Sequence, residues 1–214
     1  MEMKFIDLHV HSILSKGVDT PMRLASHAGE LGIEIGLCDS NRLERDVHPG
    51  PIAAIGYEMT AKTKRHFNEE LRSLSNEWGY VAVPGGMGIV NRLAVGDDRV
   101  DVLLHPDLGR RDSGLDTFIA REARENAVAV GVNLLGLIAA RGRYRVHLCR
   151  NIQRNLELSR KYGFSLVACT GARSRYELRT GECMFELLMQ LGFTEEEATG
   201  ALYDVPRAIL EDSR

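Results

Sequence analysis

The sequence lacks the features that define several large classes of protein. Its four cysteines stand far apart with no Cys-x-x-Cys spacing, so neither a zinc motif nor a dithiol redox motif is expected. No stretch approaches the ~20 apolar residues that a membrane-spanning helix requires. The first residues become charged too early for a secretory signal peptide. These absences predict a cytoplasmic protein of a reducing compartment, with no membrane partner.

A glycine-rich phosphate loop is also missing. The segment Pro84-Gly85-Gly86-Met87-Gly88 is predicted to be a turn, and it lacks the Lys-Ser/Thr pair of such a loop. An interpretation as a nucleotide or sugar-phosphate binder therefore has no support from a motif.

Short apolar runs alternate with amphipathic stretches along all 214 residues. This repetition of strand and helix predicts a parallel sheet. The pattern contains seven strands, and nothing indicates that the helices switch from one face of the sheet to the other. It therefore favours an α/β fold, a TIM-like barrel of about seven parallel strands with surrounding helices. No linker or internal repeat interrupts it, so residues 1–214 are predicted to form one domain. The predicted strands are Lys4–His9, Ile35–Cys38, Ala53–Met59, Tyr80–Val83, Val100–Leu104, Ala127–Leu134 and Phe164–Cys169. The predicted helices are Pro21–Leu31, Thr63–Trp78, Leu115–Asn126, Leu148–Tyr162, Gly181–Leu191, Glu195–Tyr203 and Val205–Glu211.

Polar side chains collect at the carboxyl ends of the predicted strands, which form the functional face of an α/β barrel. His9 and His11 stand at the end of the first strand, and because alternate residues share a face their rings should point the same way. Glu58 and His105 end two further strands. Imidazole and carboxylate groups suit divalent cations. The alternative is a set of buried polar residues bonded across the barrel mouth, but the whole constellation favours the remnant of a site.

Positive charge is concentrated in one segment. Residues 139 to 179 contain ten basic and two acidic side chains, a net charge of +8, whereas the whole chain carries −3 and the remainder therefore −11. Nine of the ten are arginines, whose planar fork fits phosphate well. From composition alone, two interpretations stay open: a face that meets a polyanion, or a solvated basic helix face.

The run Asp7-Leu8-His9-Val10-His11-Ser12 resembles the first motif of the polymerase-and-histidinol-phosphatase superfamily. That resemblance implies a distorted α/β barrel and a cluster of up to three metal ions. The superfamily pattern is matched at His9, His11, Asp39, Glu58 and His105. The chain departs from it at Ser40, where a histidine is expected, and at Gly171 and Arg173, where an aspartate and a histidine are expected.

The carboxyl-terminal third is similar to one branch of that superfamily, the ribonuclease P protein family known in archaea as protein component 3. The similarity rests on the runs 165–173, 177–179, 187–192 and 206–210, and on the helix predicted over 148–162. It implies a protein that assists a catalytic RNA in removing the 5′ leader from precursor tRNA. The implied partners are ribonuclease P RNA, precursor tRNA and other protein subunits, one of them a direct heteromeric partner. Mg²⁺ would be used by the RNA, with no cofactor tightly bound to this chain.

The arginine-rich segment supplies the candidate RNA-binding residues. Three of them alternate in a predicted flexible turn, with Tyr144 between them as a residue that could stack on a base or pack in the core. Two lie four apart, hence on one face of a helix, and three follow the last strand. The candidates are Arg141, Arg143, Arg145, Arg150, Arg154, Arg173, Arg175 and Arg179.

The alternative function is a metal-dependent phosphoesterase. Metal-assisted hydrolysis needs a nearly complete ligand set, whereas Gly171 has no ligating side chain and Arg173 would repel a metal cation. We therefore predict no catalytic residue in the isolated chain. With His9, His11, Glu58 and His105 as the vestigial ligands, weak or no metal binding is expected.

Overall fold

The computed structural model describes residues 5–39, 50–74 and 78–212. Within these ranges seven strands form one parallel sheet, and each strand pairs with its neighbours in chain order. The strands are β1 (Ile6–Val10), β2 (Glu34–Asp39), β3 (Ile52–Glu58), β4 (Tyr80–Pro84), β5 (Val102–Leu104), β6 (Ala129–Asn133) and β7 (Leu166–Cys169).

The sheet closes on itself because β1 also contacts the chain just past β7. Val10 forms a parallel bridge with Ala172, and the backbone N–H of His11 donates to the carbonyl of Ala172 over 2.8 Å. In the same seam, the buried carboxylate of Asp7 accepts hydrogen bonds from the backbone N–H and the hydroxyl of Thr170. The predicted barrel of seven parallel strands is confirmed.

The barrel interior is filled by side chains, as in other small parallel barrels. Tyr80 occupies much of it, and its hydroxyl donates to the carbonyl of Leu8 over 2.5 Å. Gly56 makes room for that ring, since a Cβ at position 56 would lie 2.2 Å from the aromatic carbons of Tyr80. A glycine in the middle of β3 is thus explained by the close approach of an aromatic ring.

Helices cover the outside of the barrel and run back from its carboxyl-terminal face. The side chains of Thr20 and Thr63 cap the first two helices. A 3₁₀ turn, Arg175–Glu177, follows β7, and a π-helical segment, Gly200–Asp204, joins the last two helices. The helices are α1 (Pro21–Glu30), α2 (Lys64–Ser73), α3 (Gly88–Val95), α4 (Thr117–Glu125), α5 (Leu134–Ala139), α6 (Gly142–Tyr162), α7 (Gly181–Gln190), α8 (Glu195–Thr199) and α9 (Val205–Glu211).

Two helices were not expected from the sequence, and two others are clearly shorter than predicted. α3 begins after Met87, which makes no side-chain cap, and its Ile-Val start resembles a strand. α5 begins at Leu134, the last residue of the strand predicted over Ala127–Leu134, and is only six residues long. α2 ends at Ser73, short of the Trp78 boundary predicted for it, and residues 75–77 lie outside the described residues. α8 ends at Thr199 rather than at Tyr203, because the π-helical segment begins at Gly200.

The prediction of a flexible turn over Arg141–Arg145 is wrong. These residues begin α6, a helix that starts at Gly142 rather than at Leu148 and runs for 21 residues. Residues 141–147 are all exposed, so they carry no apolar periodicity from which a helix could be predicted. Farther along, Asn151 donates to the carboxylate of Asp107 and Asn155 to the carbonyl of Ser113, which fixes the helix against the loop after β5.

We predict that Asp7→Ala lowers the free energy of unfolding by roughly 2–4 kcal/mol, because it leaves the buried N–H and hydroxyl of Thr170 without their acceptor. Chemical denaturation measures the change. Asp98→Ala is the matched control, since Asp98 is exposed and its removal should change stability by less than about 0.5 kcal/mol. Equal stability of the two variants would contradict this account of the closing seam.

Candidate functional site at the barrel mouth

Two histidines at the end of β1 lie at the centre of the barrel mouth. His9 is in the strand, His11 follows it, and their ring centroids are 4.8 Å apart. Both are buried, with 2% and 3% of their surface exposed. The prediction that the pair would point the same way is confirmed.

His11 is held in the orientation of a metal-binding imidazole. Its Nδ1 lies 3.0 Å from the carbonyl oxygen of Cys38, which can only accept, so Nδ1 carries the proton. Nε2 is left with its lone pair, and a bond of this kind from the other ring nitrogen commonly orients metal-ligating histidines. Burial lowers the pKa of His11 to about 4, so the ring is neutral at pH 7.

His9 and Glu58 complete a cluster of potential ligands. Among the described residues, neither ring nitrogen of His9 has a hydrogen-bond partner, although both are buried. Its Nε2 lies 3.9 Å from Glu58 Oε1, too far for a hydrogen bond. One ligand atom from each of His9, His11 and Glu58 can be chosen such that all three lie within 4.8 Å of one another.

A lysine ammonium enters this cluster. Lys16 Nζ lies 2.7 Å from Glu58 Oε2, and the Glu58 side chain is only 6% exposed. Burial alone would raise the pKa of Glu58, but the His9 imidazole and the Lys16 ammonium outweigh burial and lower that pKa to about 2. Glu58 is therefore an anion whose charge is already matched by a cation of the chain itself.

His105 lies beside the cluster but offers no lone pair to it. Gly136 N–H donates to the Asn133 side-chain oxygen over 2.8 Å, which turns the Asn133 amide nitrogen toward His105 Nδ1 at 3.0 Å. An amide NH₂ group only donates, so Nδ1 accepts and the single proton of the neutral ring lies on Nε2. Burial lowers the pKa of His105 to about 3.

The backbone of His105 is also unusual. Its φ of 47° lies in the left-handed region, immediately before Pro106. This conformation costs a non-glycine residue roughly 1–3 kcal/mol and persists only where surrounding contacts impose it. Those contacts include the His9 ring, whose centroid is 4.8 Å from that of His105.

The far side of the mouth carries two of the three departures from the superfamily pattern, Gly171 and Arg173. A Cβ at Gly171 would lie 3.3 Å from His9 Nδ1, and Arg173 lines the same cavity of about 320 Å³. The cavity is also lined by Lys16, Glu177 and part of α5. Ser40 lies outside the described residues, as does the side chain of Asp39.

These residues do not fit a cluster of several metal ions. His105 Nδ1 already accepts a hydrogen bond from Asn133, and Gly171 has no side chain that could ligate a metal. Lys16 Nζ and Arg173 bring positive charge to the mouth. Three ligands would suffice for one ion with a fourth position open, but Glu58 is already bound to an ammonium. No step of a metal-dependent reaction is derived from this site.

The structure brings six of the eight predicted arginines to the same end of the barrel. Arg141, Arg143 and Arg145 stand at the start of α6, and Arg173, Arg175 and Arg179 follow β7. Both groups are at the mouth, because the mouth cavity is lined by residues 135–139 on one side and by residues 171–177 on the other.

The other two lie farther down α6. At 1.5 Å of rise per residue, Arg150 and Arg154 are roughly 8 and 14 Å from Arg145 along the helix axis. Arg154 forms a salt bridge of 3.1 Å with Glu157. Near the opposite end, Arg160 forms two 2.7 Å hydrogen bonds with Glu197. The +8 segment therefore does not form a single surface.

In the described part of the chain, the side chains of the arginines at the mouth are not paired with carboxylates, although the backbone N–H groups of Arg173 and Arg175 donate to the carboxylates of Glu177 and Asp19. Among the described residues, none of the six forms a salt bridge. Arg145 and Arg141 donate to carbonyls at the end of α5, and Arg179 donates to those of Tyr176 and Leu178. Backbone carbonyls orient these side chains without neutralising them.

Sequence reasoning missed two residues of the mouth. Tyr176 is 72% exposed, and the guanidinium of Arg175 lies 4.8 Å from its ring centroid. Its position between arginines after a strand end is a signal that could have indicated it. Lys16 gave no such signal, since its contact with Glu58 joins residues 42 apart.

The chain is similar over its whole length to one family of proteins. The sequence profile described as RNase P subunit p30 matches residues 4–214. Ribonuclease P protein component 3 of Methanosarcina acetivorans is 33% identical over 219 residues, covering 99% of this chain and 90% of that protein. The component 3 of Methanothermobacter thermautotrophicus is 32% identical over 225 residues, with the same coverage.

Solved structures share the fold. A chain of the cryo-EM structure of archaeal ribonuclease P with mature tRNA superposes with a TM-score of 0.80 at 21% identity, covering 96% of this chain and 90% of that one. Histidinol phosphate phosphatase of Lactococcus lactis, complexed with zinc, L-histidinol and phosphate, gives a TM-score of 0.62 at 12% identity, with coverage of 90% and 95%.

Fold and site together define a TIM-like barrel whose mouth holds a buried cluster of two histidines and a glutamate beside a lysine. Within that class, the profile match and the identity to component 3 proteins show that this chain belongs to the RNase P subunit p30 family. The resemblance expected from the carboxyl-terminal runs is confirmed.

We predict that Lys16→Met lowers the free energy of unfolding by roughly 1–3 kcal/mol, because it leaves a buried carboxylate without its cation. Adding Glu58→Gln should recover most of the loss, since a neutral amide costs less to bury than an unpaired charge. Denaturation of the wild type, both single variants and the double variant gives the coupling energy. The matched control is the exposed pair Arg65–Glu69, whose coupling should be about 0.3–0.5 kcal/mol. A Lys16–Glu58 coupling no larger than the control would refute a stabilising pair between Lys16 and the buried carboxylate of Glu58.

Proposed function

We propose that this chain is a protein subunit of ribonuclease P that helps the catalytic RNA remove the 5′ leader from precursor tRNA, by binding and stabilising the RNA. The observation that carries the proposal is the convergence, at one end of a barrel of the RNase P subunit p30 family, of six arginines whose side chains form no salt bridge among the described residues. Ribonuclease P RNA, precursor tRNA and other protein subunits, one as a direct heteromeric partner, are the proposed partners. The proposed compartment is the cytoplasm.

The start of α6 has the properties of a phosphate-binding element. A helix begins with a partial positive charge, so basic residues in its first turn are unfavourable for the helix itself. This helix nevertheless begins with Arg141, Arg143 and Arg145, and has no acidic residue in its first turn. The arrangement becomes favourable when an anion lies against the start of the helix, because the free backbone N–H groups and the arginines would both bind that anion.

The segment after β7 forms the second half of the proposed RNA surface. Arg173 and the 3₁₀ turn Arg175–Glu177 lie on the other side of the mouth cavity, next to Arg179. Tyr176 and, on α6, Tyr144 are exposed by 72% and 57%. An exposed aromatic ring beside a guanidinium can stack on an unpaired base, so each half combines phosphate contacts with a stacking surface.

A role in catalysis by this chain alone is not favoured. The metal-ligand set is incomplete and Lys16 neutralises Glu58, which argues against the alternative of a metal-dependent phosphoesterase. We propose that Mg²⁺ serves the RNA of the holoenzyme and that no cofactor is tightly bound by the protein.

Among the described residues, no helix is long and apolar enough to cross a membrane.

The RNA-free chain should not cleave precursor tRNA, because it lacks the ligands that would activate water for attack on phosphate. Incubation of the purified chain with labelled precursor tRNA and Mg²⁺ or Mn²⁺ tests this. The positive control is the same chain reconstituted with ribonuclease P RNA and the other subunits. Chelator-sensitive cleavage by the chain alone would favour the phosphoesterase instead.

Replacing Arg143, Arg145 and Arg173 with alanine should weaken RNA binding and flatten its salt dependence. Loss of about three phosphate contacts would reduce the slope of log affinity against log salt by roughly two to three. Affinity for ribonuclease P RNA measured at several salt concentrations gives the slope, and circular dichroism checks the fold.

The matched control removes three positive charges from the opposite end of the barrel. Arg121, Arg124 and Lys161 are exposed. Arg124 and Lys161 lie in the last turns of α4 and α6, and the guanidinium of Arg121 lies 5.8 Å from the ring centroid of Tyr162 at the end of α6. Their triple alanine variant should keep the wild-type slope. If the control variant loses the slope and the mouth variant keeps it, the RNA surface lies at the other end.

A further inference from the structure

The ion pair between Lys16 and Glu58 lies where a metal ion would have to bind. Ligand atoms of His9, His11 and Glu58 lie within 4.8 Å of one another, and the Lys16 ammonium is 2.7 Å from one oxygen of Glu58. Ligand distances to Zn²⁺ are about 2.0–2.2 Å, so an ion on this set would lie only a few ångströms from the ammonium. Two cations at that separation repel each other, even though the Lys16 side chain is half exposed to solvent.

The loop that carries Lys16 is fixed. Gly17 N–H donates to the carbonyl of Ser12, Val18 N–H to that of Arg173, and Ile13 N–H to that of Asp19. A Cβ at Gly17 would lie 2.1 Å from the carbonyl oxygen of His11, so only glycine allows the loop to lie this close to β1. The backbone that presents Lys16 to the mouth is thus held by contacts on both sides of the closing seam.

The remaining ligands keep the features of a site for one ion. The His11 Nδ1 proton is directed to the carbonyl of Cys38, which leaves Nε2 as an acceptor. His9 has two buried ring nitrogens without partners among the described residues. Two imidazoles and one carboxylate form a set that Zn²⁺ or Co²⁺ accepts, with a fourth position open.

We propose that Lys16 is an internal cation that closes a latent divalent metal site made by His9, His11 and Glu58. In the wild-type chain the ammonium matches the charge of Glu58 and excludes the ion. Removal of the charge at position 16, with no other change, opens the site to one borderline-soft divalent ion.

Titration of the untagged full chain with Co²⁺ at pH 7 tests this proposal. Visible absorption reports nitrogen and oxygen coordination, and calorimetry reports stoichiometry. The proteins compared are the wild type, Lys16→Met, Lys16→Gln, and each lysine variant combined with Glu58→Gln. Lys16→Gln serves as the second variant because its amide can still donate to Glu58 if Lys16→Met does not fold.

The proposal expects one Co²⁺ per chain in a folded lysine variant, bound at least about tenfold more tightly than by the wild type. The added Glu58→Gln change should abolish the new absorption, which separates this site from exposed histidines and cysteines. The proposal is overturned if the wild type binds one Co²⁺ through Glu58 as tightly as the lysine variants. Binding by the folded variants no tighter than that of their Glu58→Gln counterparts overturns it equally.

Discussion

The closing seam between β1 and the segment after β7 is the contact on which the rest of the structure depends. Asp7 bonds to Thr170, Val10 pairs with Ala172, and the Lys16 loop is tied to the carbonyl of Arg173. These contacts join residues about 160 positions apart in the chain. They bring the first motif, with its two histidines, beside the arginines that follow the last strand. Without closure, neither the mouth nor the proposed RNA surface would exist as a unit.

The electrostatics of the mouth differ from those of a metal enzyme built on the same fold. A hydrolase of this kind gathers ligands around cations that it takes from solution. In this chain the positive charges belong to side chains: Lys16 at the centre of the mouth and arginines at its rim. His11 and His105 are neutral at pH 7, because burial lowers their pKa values to about 4 and about 3. The positive charge offered to an RNA is therefore that of lysine and arginine, which persists throughout the physiological pH range.

Much of the fold could be predicted from the sequence, because strands buried on both faces appear as continuous apolar runs. The start of α6 could not, since residues 141–147 bury no side chain and so carry no periodic pattern. α3 could not be predicted either, because Ile-Val at its start is typical of a strand and Met87 provides no helix cap. Both helices begin without a side-chain cap at the preceding residue, so the sequence carries no start signal for either.

The candidate site could be predicted in its residue types but not in its chemical state. His9, His11, Glu58 and His105 were named from their positions at strand ends. That His105 Nδ1 accepts a hydrogen bond from Asn133, and is therefore not free to bind a metal, follows only from the contacts of Asn133 and Gly136, which the sequence does not reveal. Likewise, the sequence alone could not tell which arginines lie at the mouth and which lie farther along α6, because that depends on where the helix starts and how long it is. Charge counts alone cannot distinguish an arginine that pairs with Glu197 from one that has no carboxylate partner.

The central claim is that RNA binds at the mouth end of the barrel, against the start of α6 and the segment after β7. Ultraviolet crosslinking of the chain within reconstituted ribonuclease P, followed by mass spectrometry of the crosslinked peptides, measures this most directly. The account predicts crosslinks in residues 141–150 and 171–179, with Tyr144 and Tyr176 as the leading sites. Crosslinks confined to α4, α8 and the last turns of α6, at the opposite end of the barrel, would contradict it.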